Sequence, residues 1–202
     1  MKKAFTALAA LALATTATAA DRPGDTPKHR GFDGQLSQVA GPIALDVTLG
    51  EDLVYLADNP GRPNGSISRL RDGFGTGGFL GEKDLEELRA DVEEELVQRF
   101  TKRGIAIDPD AATVLRVRVV DAQPNRPTFK QLSVEPSLSF RSFGRGGASL
   151  EGELIQAGGQ ELGNFTYGYY THFIEEAQFR GTWTDANRAI DLFAKKVAKK
   201  LT

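Results

Sequence analysis

Within Val114-Leu115-Arg116-Val117-Arg118-Val119-Val120, apolar and charged side chains alternate from Leu115 to Val119. Successive side chains of a strand point to opposite faces, so Leu115, Val117 and Val119 define a buried side, and Arg116 and Arg118 a wet one. The same pattern returns in Ala148–Ile155, with Leu150 and Leu154 inward and Glu151 and Glu153 outward, before Gly158-Gly159 closes a hairpin into a return strand over Leu162–Phe173. Upstream, Ile43, Leu45, Val47 and Leu49 alternate in the segment Pro42–Asp58, and a further extended piece is expected at Leu53–Leu56. A short strand at Leu138–Phe143 is the remaining candidate, inside a connection punctuated by Pro124, Pro127 and Pro136.

Two segments change period. Leu85, Leu88, Val92, Leu96 and Phe100 recur at helical spacing, with Asp84 and Glu87 in capping-box register and Gly104 placed for a left-handed cap. Trp183, Ala186, Ile190, Phe193, Val197 and Leu201 make a second stripe, with Thr182 and Asp185 in capping-box register and lysines on the outer face. Between Asn59 and Gly81, glycine, proline and asparagine dominate, which predicts a long loop. Two amphipathic helices segregated from strands of this kind predict an α+β two-layer sandwich: a mostly antiparallel sheet with both helices on one face. The opposite sheet face is left to solvent or to a partner.

The start of the chain reads differently. Lys2 and Lys3, an apolar run over Ala4–Ala14 and small residues through Ala20 form the three parts of a cleavable export signal, with cut sites after Ala19 or Ala20. The run is short of the roughly 20 residues of a spanning helix, so no stable membrane insertion is expected. The division that follows is a signal peptide at 1–19, a flexible Gly- and Pro-rich leader at 20–41 and a single α+β domain at 42–202, with periplasmic localisation. The chain has no cysteine, which removes lipid attachment, disulfides and thiolate chemistry. Its net charge of −2, carried by mixed signs, argues against nucleic acid as a partner.

No motif points to a reaction or a cofactor. His29 and His172 are the only histidines, and neither lies in a nucleophile elbow. The acid run Glu93-Glu94-Glu95 is spread around a helix, and no metal-loop spacing accompanies it. Gly73–Gly81 lacks the Gly-Lys-Ser/Thr of a phosphate cradle and is followed by Glu82 and Asp84. Glu175 and Glu176 beside Tyr170 and His172 are the best set for the alternative reading, a carboxylate-based hydrolase.

Three residues stand out for binding. Tyr167 and Tyr169, nominated for binding, project with Phe165 to one side of the last strand, and Tyr170 and His172 to the other; one side packs on the helices, and the other forms an aromatic patch for an envelope protein or a glycan. Arg126, stiffened between Pro124 and Pro127, either presents its planar guanidinium to a carboxylate or phosphate or ties carbonyls within its own turn. Arg116, Arg118, Glu151 and Glu153 form either a cross-strand charge ladder or a polar recognition face.

Three segments, Asp121-Ala122-Gln123-Pro124-Asn125-Arg126-Pro127-Thr128, Gly146–Leu154 and Trp183-Thr184-Asp185-Ala186, resemble those of an uncharacterised family of bacterial envelope proteins, a domain of unknown function with many lipoprotein members. The likeness runs over Pro42–Leu201, without the lipidation cysteine. It implies an envelope address and supplies no activity, cofactor or catalytic residue. The expected function is that of an exported, non-enzymatic binding or envelope-accessory protein.

Overall fold

The computed structural model describes residues 31–51, 53–54, 80–134, 136–171 and 174–202. Five strands form one sheet: β1 (Gly31–Leu36), β2 (Ile43–Leu49), β3 (Thr113–Gln123), β4 (Gly147–Gln156) and β5 (Gln160–Tyr170), in the order β1-β5-β4-β3-β2. Every pairing is antiparallel except β2 with β3. The helix α1 (Glu82–Lys102) lies in the crossover between those two strands, as a parallel pair requires. A short α2 (Phe129–Val134) follows β3, a 3-10 turn spans Ile174–Phe179, and α3 (Thr184–Leu201) closes the described chain.

Both long helices cover the same sheet face, giving the expected two-layer α+β sandwich. Leu88, Val92, Leu96 and Phe100 of α1 join Ile190, Phe193 and Val197 of α3 over Leu115, Val117, Leu150 and Leu154 in one core, each of them at most 1% exposed. An aromatic chain crosses this core. Phe32 stacks on Phe165 at 5.3 Å, and Phe193 meets Phe165 at 5.5 Å and Tyr167 at 5.7 Å. Arg99 of α1 and Asp191 of α3 pair between the helices. Among the described residues no helix is long and apolar enough to cross a membrane.

Several local expectations are corrected. The leader expected at 20–41 supplies β1, which pairs with β5 from Gly31 opposite Gly168 to Leu36 opposite Gly163. One of the glycines read as a sign of flexibility serves close approach instead: a Cβ on Gly34 would stand 2.3 Å from the Asn164 carbonyl oxygen. Leu53 and Val54, expected to be extended, are helical, with their N–H groups bonded to the Gly50 carbonyl. Phe140 and Arg141 form a turn rather than a strand.

The α1 cap also sits three residues earlier than expected. Gly81 precedes the helix, and its N–H donates to Asp84 Oδ2 at 2.9 Å, so Asp84 closes the box instead of opening it. The other end behaves as its sequence implies: Gly104, at φ 73°, donates to the Thr101 carbonyl and Ile105 to that of Phe100, the paired bonds of a Schellman motif. The signal segment, the rest of the leader and most of the long loop lie outside the described residues.

Candidate functional site

Among the described residues nothing covers the sheet face away from the helices, and register makes it polar across all five strands. One row reads Asp33, Thr166, Glu151, Arg118 and Thr48; the next reads Gln35, Asn164, Glu153, Arg116 and Asp46. Arg118 donates from Nε to Glu151 Oε1 at 2.7 Å, and Arg116 lies 3.2 Å from Glu153 Oε1 and 3.6 Å from Asp46 Oδ2. The expected ladder therefore exists. Its members are roughly a third to a half exposed, so each pair contributes about 0–1 kcal/mol to stability. The two rows apart from Gln35, together with Glu161, line a shallow concavity of about 780 Å³ in which five carboxylates outnumber two guanidiniums. That excess is a formal −3 left uncompensated.

A second constellation is sealed. Asp185, fully buried at the start of α3, accepts from the Asn125 side-chain amide and the Thr171 hydroxyl, and its Oδ1 lies 2.7 Å from Arg180 Nη1. Asn125 Oδ1 accepts from the Asp185 N–H at 2.9 Å, so the first turn of α3 is capped from 60 positions away. The capping box expected from Thr182 and Asp185 does not form, because the carboxylate turns inward. Gly146 belongs to the same knot, its carbonyl accepting from the Thr171 N–H at 3.0 Å. The segments Asp121–Thr128, Gly146–Leu154 and Trp183–Ala186 thus converge on one structural joint.

Arg126 reaches over this joint. Its Nε donates to the Arg180 carbonyl at 3.1 Å, Nη1 to those of Arg141 and Ser142 at 3.0 and 3.3 Å, and Nη2 to that of Gln178. The guanidinium is a tie, but to carbonyls 15 to 54 positions away and not within its own turn as expected. Tyr167, nominated for binding, is 3% exposed and stands opposite Leu150 on the core side. Its phase follows from the β4–β5 hairpin register, which turns the Phe165–Tyr167–Tyr169 side onto α3. Tyr169 is half-buried, with the Arg188 guanidinium 5.5 Å from its ring centre. The expected aromatic patch is therefore a wall of the core.

Burial raises the Tyr167 hydroxyl to a pKa of about 12, with the neighbouring Tyr169 and Asp191 adding to the rise and Arg188 opposing it. Burial, then Glu94, Glu87 and Glu95, lifts the Asp91 carboxyl on α1 above its ordinary value. Of the hydrolase set, Glu175 is exposed and the Tyr170 hydroxyl donates to Asp121 Oδ2 at 2.8 Å. His172 and the side chain of Glu176 lie outside the described residues. No group of three or more His, Cys, Asp or Glu poised to hold a metal occurs among the described residues.

What emerges is a class: a small α+β domain with one helical layer, one open polar sheet face and a sealed polar joint at one end. No protein-family model matches the chain, and no curated protein does. Among solved structures it is similar to a PelC dodecamer from Paraburkholderia phytofirmans, at 10% identity over 84% of this chain and 95% of that one, with a TM-score of 0.41. It is also similar to a minor lipoprotein from Acinetobacter baumannii, at 10% identity over 81% and 92%, with a TM-score of 0.36. Likenesses this distant bear on neither its activity nor its partners.

Proposed function

We propose that this protein is an exported, non-enzymatic binding protein of the cell envelope, working in the periplasm, and that the open sheet face is its recognition surface. One observation carries the reading: two full rows of polar side chains cross five strands with no layer above them among the described residues, while the two long helices cover the other face. The export signal at the start of the sequence supports the address. A non-catalytic reading is supported by how the polar groups are used: buried Asn125, Thr171 and Asp185 are committed to one joint, buried Thr128 and Gln131 to a helix cap, and Arg116, Arg118, Glu151 and Glu153 to a flat ladder. Five carboxylates against two arginines fit a partner with a net positive contact surface.

Photo-cross-linking in intact cells tests this. A photoreactive amino acid replaces Thr166, on the open face, or Lys196, on the outer side of α3. Discrete adducts from position 166 and none from 196 are expected. Equal adducts from both, or adducts from 196 alone, would move recognition off the sheet.

A further inference from the structure

Six large apolar side chains are exposed among the described residues, and four of them crowd one end of the domain: Phe129, Phe140, Phe143 and Phe179, at 81%, 65%, 37% and 91% exposure. They hang from one hub. The Phe129 and Phe140 rings meet edge to face at 5.7 Å, and the Arg126 guanidinium lies 5.5 Å from the Phe143 ring centre. Phe179 sits between Gln178 and Arg180, the two residues of its segment whose carbonyls bond that same guanidinium.

The platform is built to hold shape. Thr128 and Gln131, both buried, form a reciprocal capping box: the Thr128 N–H donates to Gln131 Oε1 at 2.8 Å, and the Gln131 N–H to Thr128 Oγ1 at 3.2 Å. Phe129 is thereby fixed at the first position of α2. A braced loop that presents bare rings has been ordered without gaining their burial.

Charge separates this end from the sheet face. Between Pro124 and Gly146 the sequence carries Arg126, Lys130, Arg141 and Arg145 against the single acid Glu135, within a chain of net charge −2. The 3-10 turn adds Glu175 and Glu176, and the Arg180 that follows is turned to Asp185. Protruding rings beside basic side chains are the combination that enters an anionic lipid surface, rings at the acyl boundary and cations at the phosphates. The two most exposed rings stand out as knobs instead of lining a groove, which suits a deformable surface better than a folded partner.

We infer that this end of the domain is a peripheral docking surface for anionic lipid headgroups, separate from the sheet face and independent of what that face binds. The chain has no native cysteine, so a single environment-sensitive fluorophore can be placed uniquely at Phe179→Cys or, as a control, at Thr166→Cys. Each labelled full-length chain is titrated with vesicles of phosphatidylcholine alone or containing phosphatidylglycerol. A blue shift at position 179 that needs phosphatidylglycerol, with none at 166, is the expected result. Phe129→Ser with Phe140→Ser should weaken the partitioning by about tenfold or more, and Lys130→Glu with Arg141→Glu should abolish the lipid preference. Urea midpoints confirm that each variant folds, and the charge pair carries the test if the aromatic pair does not. No response at 179, an equal response to both vesicle types, or an equal response at 166 overturns the inference. Binding of an acidic apolar peptide at 179 without any vesicle response would assign the platform to a protein partner instead.

Discussion

Replacing Arg126 with alanine removes one guanidinium that four backbone carbonyls share. Two of those bonds, to Arg180 and Ser142, are partly buried, and their acceptors are poorly placed to recover water; the other two are exposed and rehydrate at little cost. At about 1–1.5 kcal/mol for each partly buried bond, with about 0.5 kcal/mol for the lost cation–π contact to Phe143, the loss comes to roughly 2–4 kcal/mol. In a domain of this size that lowers Tm by roughly 5–15 °C. Urea unfolding followed by far-UV circular dichroism reads it, with an unchanged slope showing that only stability moved. Arg126→Lys should recover little, because a point cation cannot reach four acceptors held in a planar fork. A midpoint for Arg126→Ala within 0.5 kcal/mol of the parent would refute the brace and return Arg126 to recognition.

Other expectations follow from the same structure. Leu154, fully buried between sheet and helices, should cost about 2–5 kcal/mol as Leu154→Ala, and an unchanged denaturation midpoint would show the register to be wrong. Tyr167 gives a pH test: its phenol ionises near pH 10 when unfolded but holds its proton to about pH 12 when folded, so stability falls as pH rises through that window. The loss amounts to roughly 2–3 kcal/mol, and Tyr167→Phe should remove this contribution to the alkaline slope; an identical slope in both chains would contradict the burial argument. Expressed in a bacterial host, the chain should appear in the periplasmic fraction shortened after Ala19 or Ala20. Recovery of the uncut chain in the membrane fraction would dismiss the export reading.

Strands β3 and β4 were legible because each buries one face, so their period-two alternation is written in side-chain type, and the same holds for the apolar stripes of α1 and α3. The charge ladder could be foreseen for that reason: once Arg116 and Glu153 sit on outward faces, adjacency alone brings them together. Strand β1 was hidden because Gly34 stands between Phe32 and Leu36 on its core-facing side and carries no side chain to complete the alternation. The platform helix left a usable trace in Thr128-x-x-Gln131, a capping box obscured by the surrounding prolines. Asn125 left none. Capping a helix 60 positions away is a tertiary event, and no local pattern around Asn125 or Asp185 encodes it. Tyr167 was misjudged because two aromatic-bearing faces of β5 read alike until the hairpin register chose between them.

The most direct test of the open face combines the position-166 cross-linker with charge reversal on the same surface. Asp33→Lys and Asp46→Lys together turn the formal −3 of this surface to +1, while both positions are exposed and each arginine keeps its glutamate, so the fold loses little. If the sheet face engages its partner through the arrangement of these charges, the adduct formed from position 166 should fall by about tenfold or more in the reversed chain, with the unfolding midpoint unchanged. An undiminished adduct in a folded, charge-reversed protein would contradict the assignment of recognition to this face.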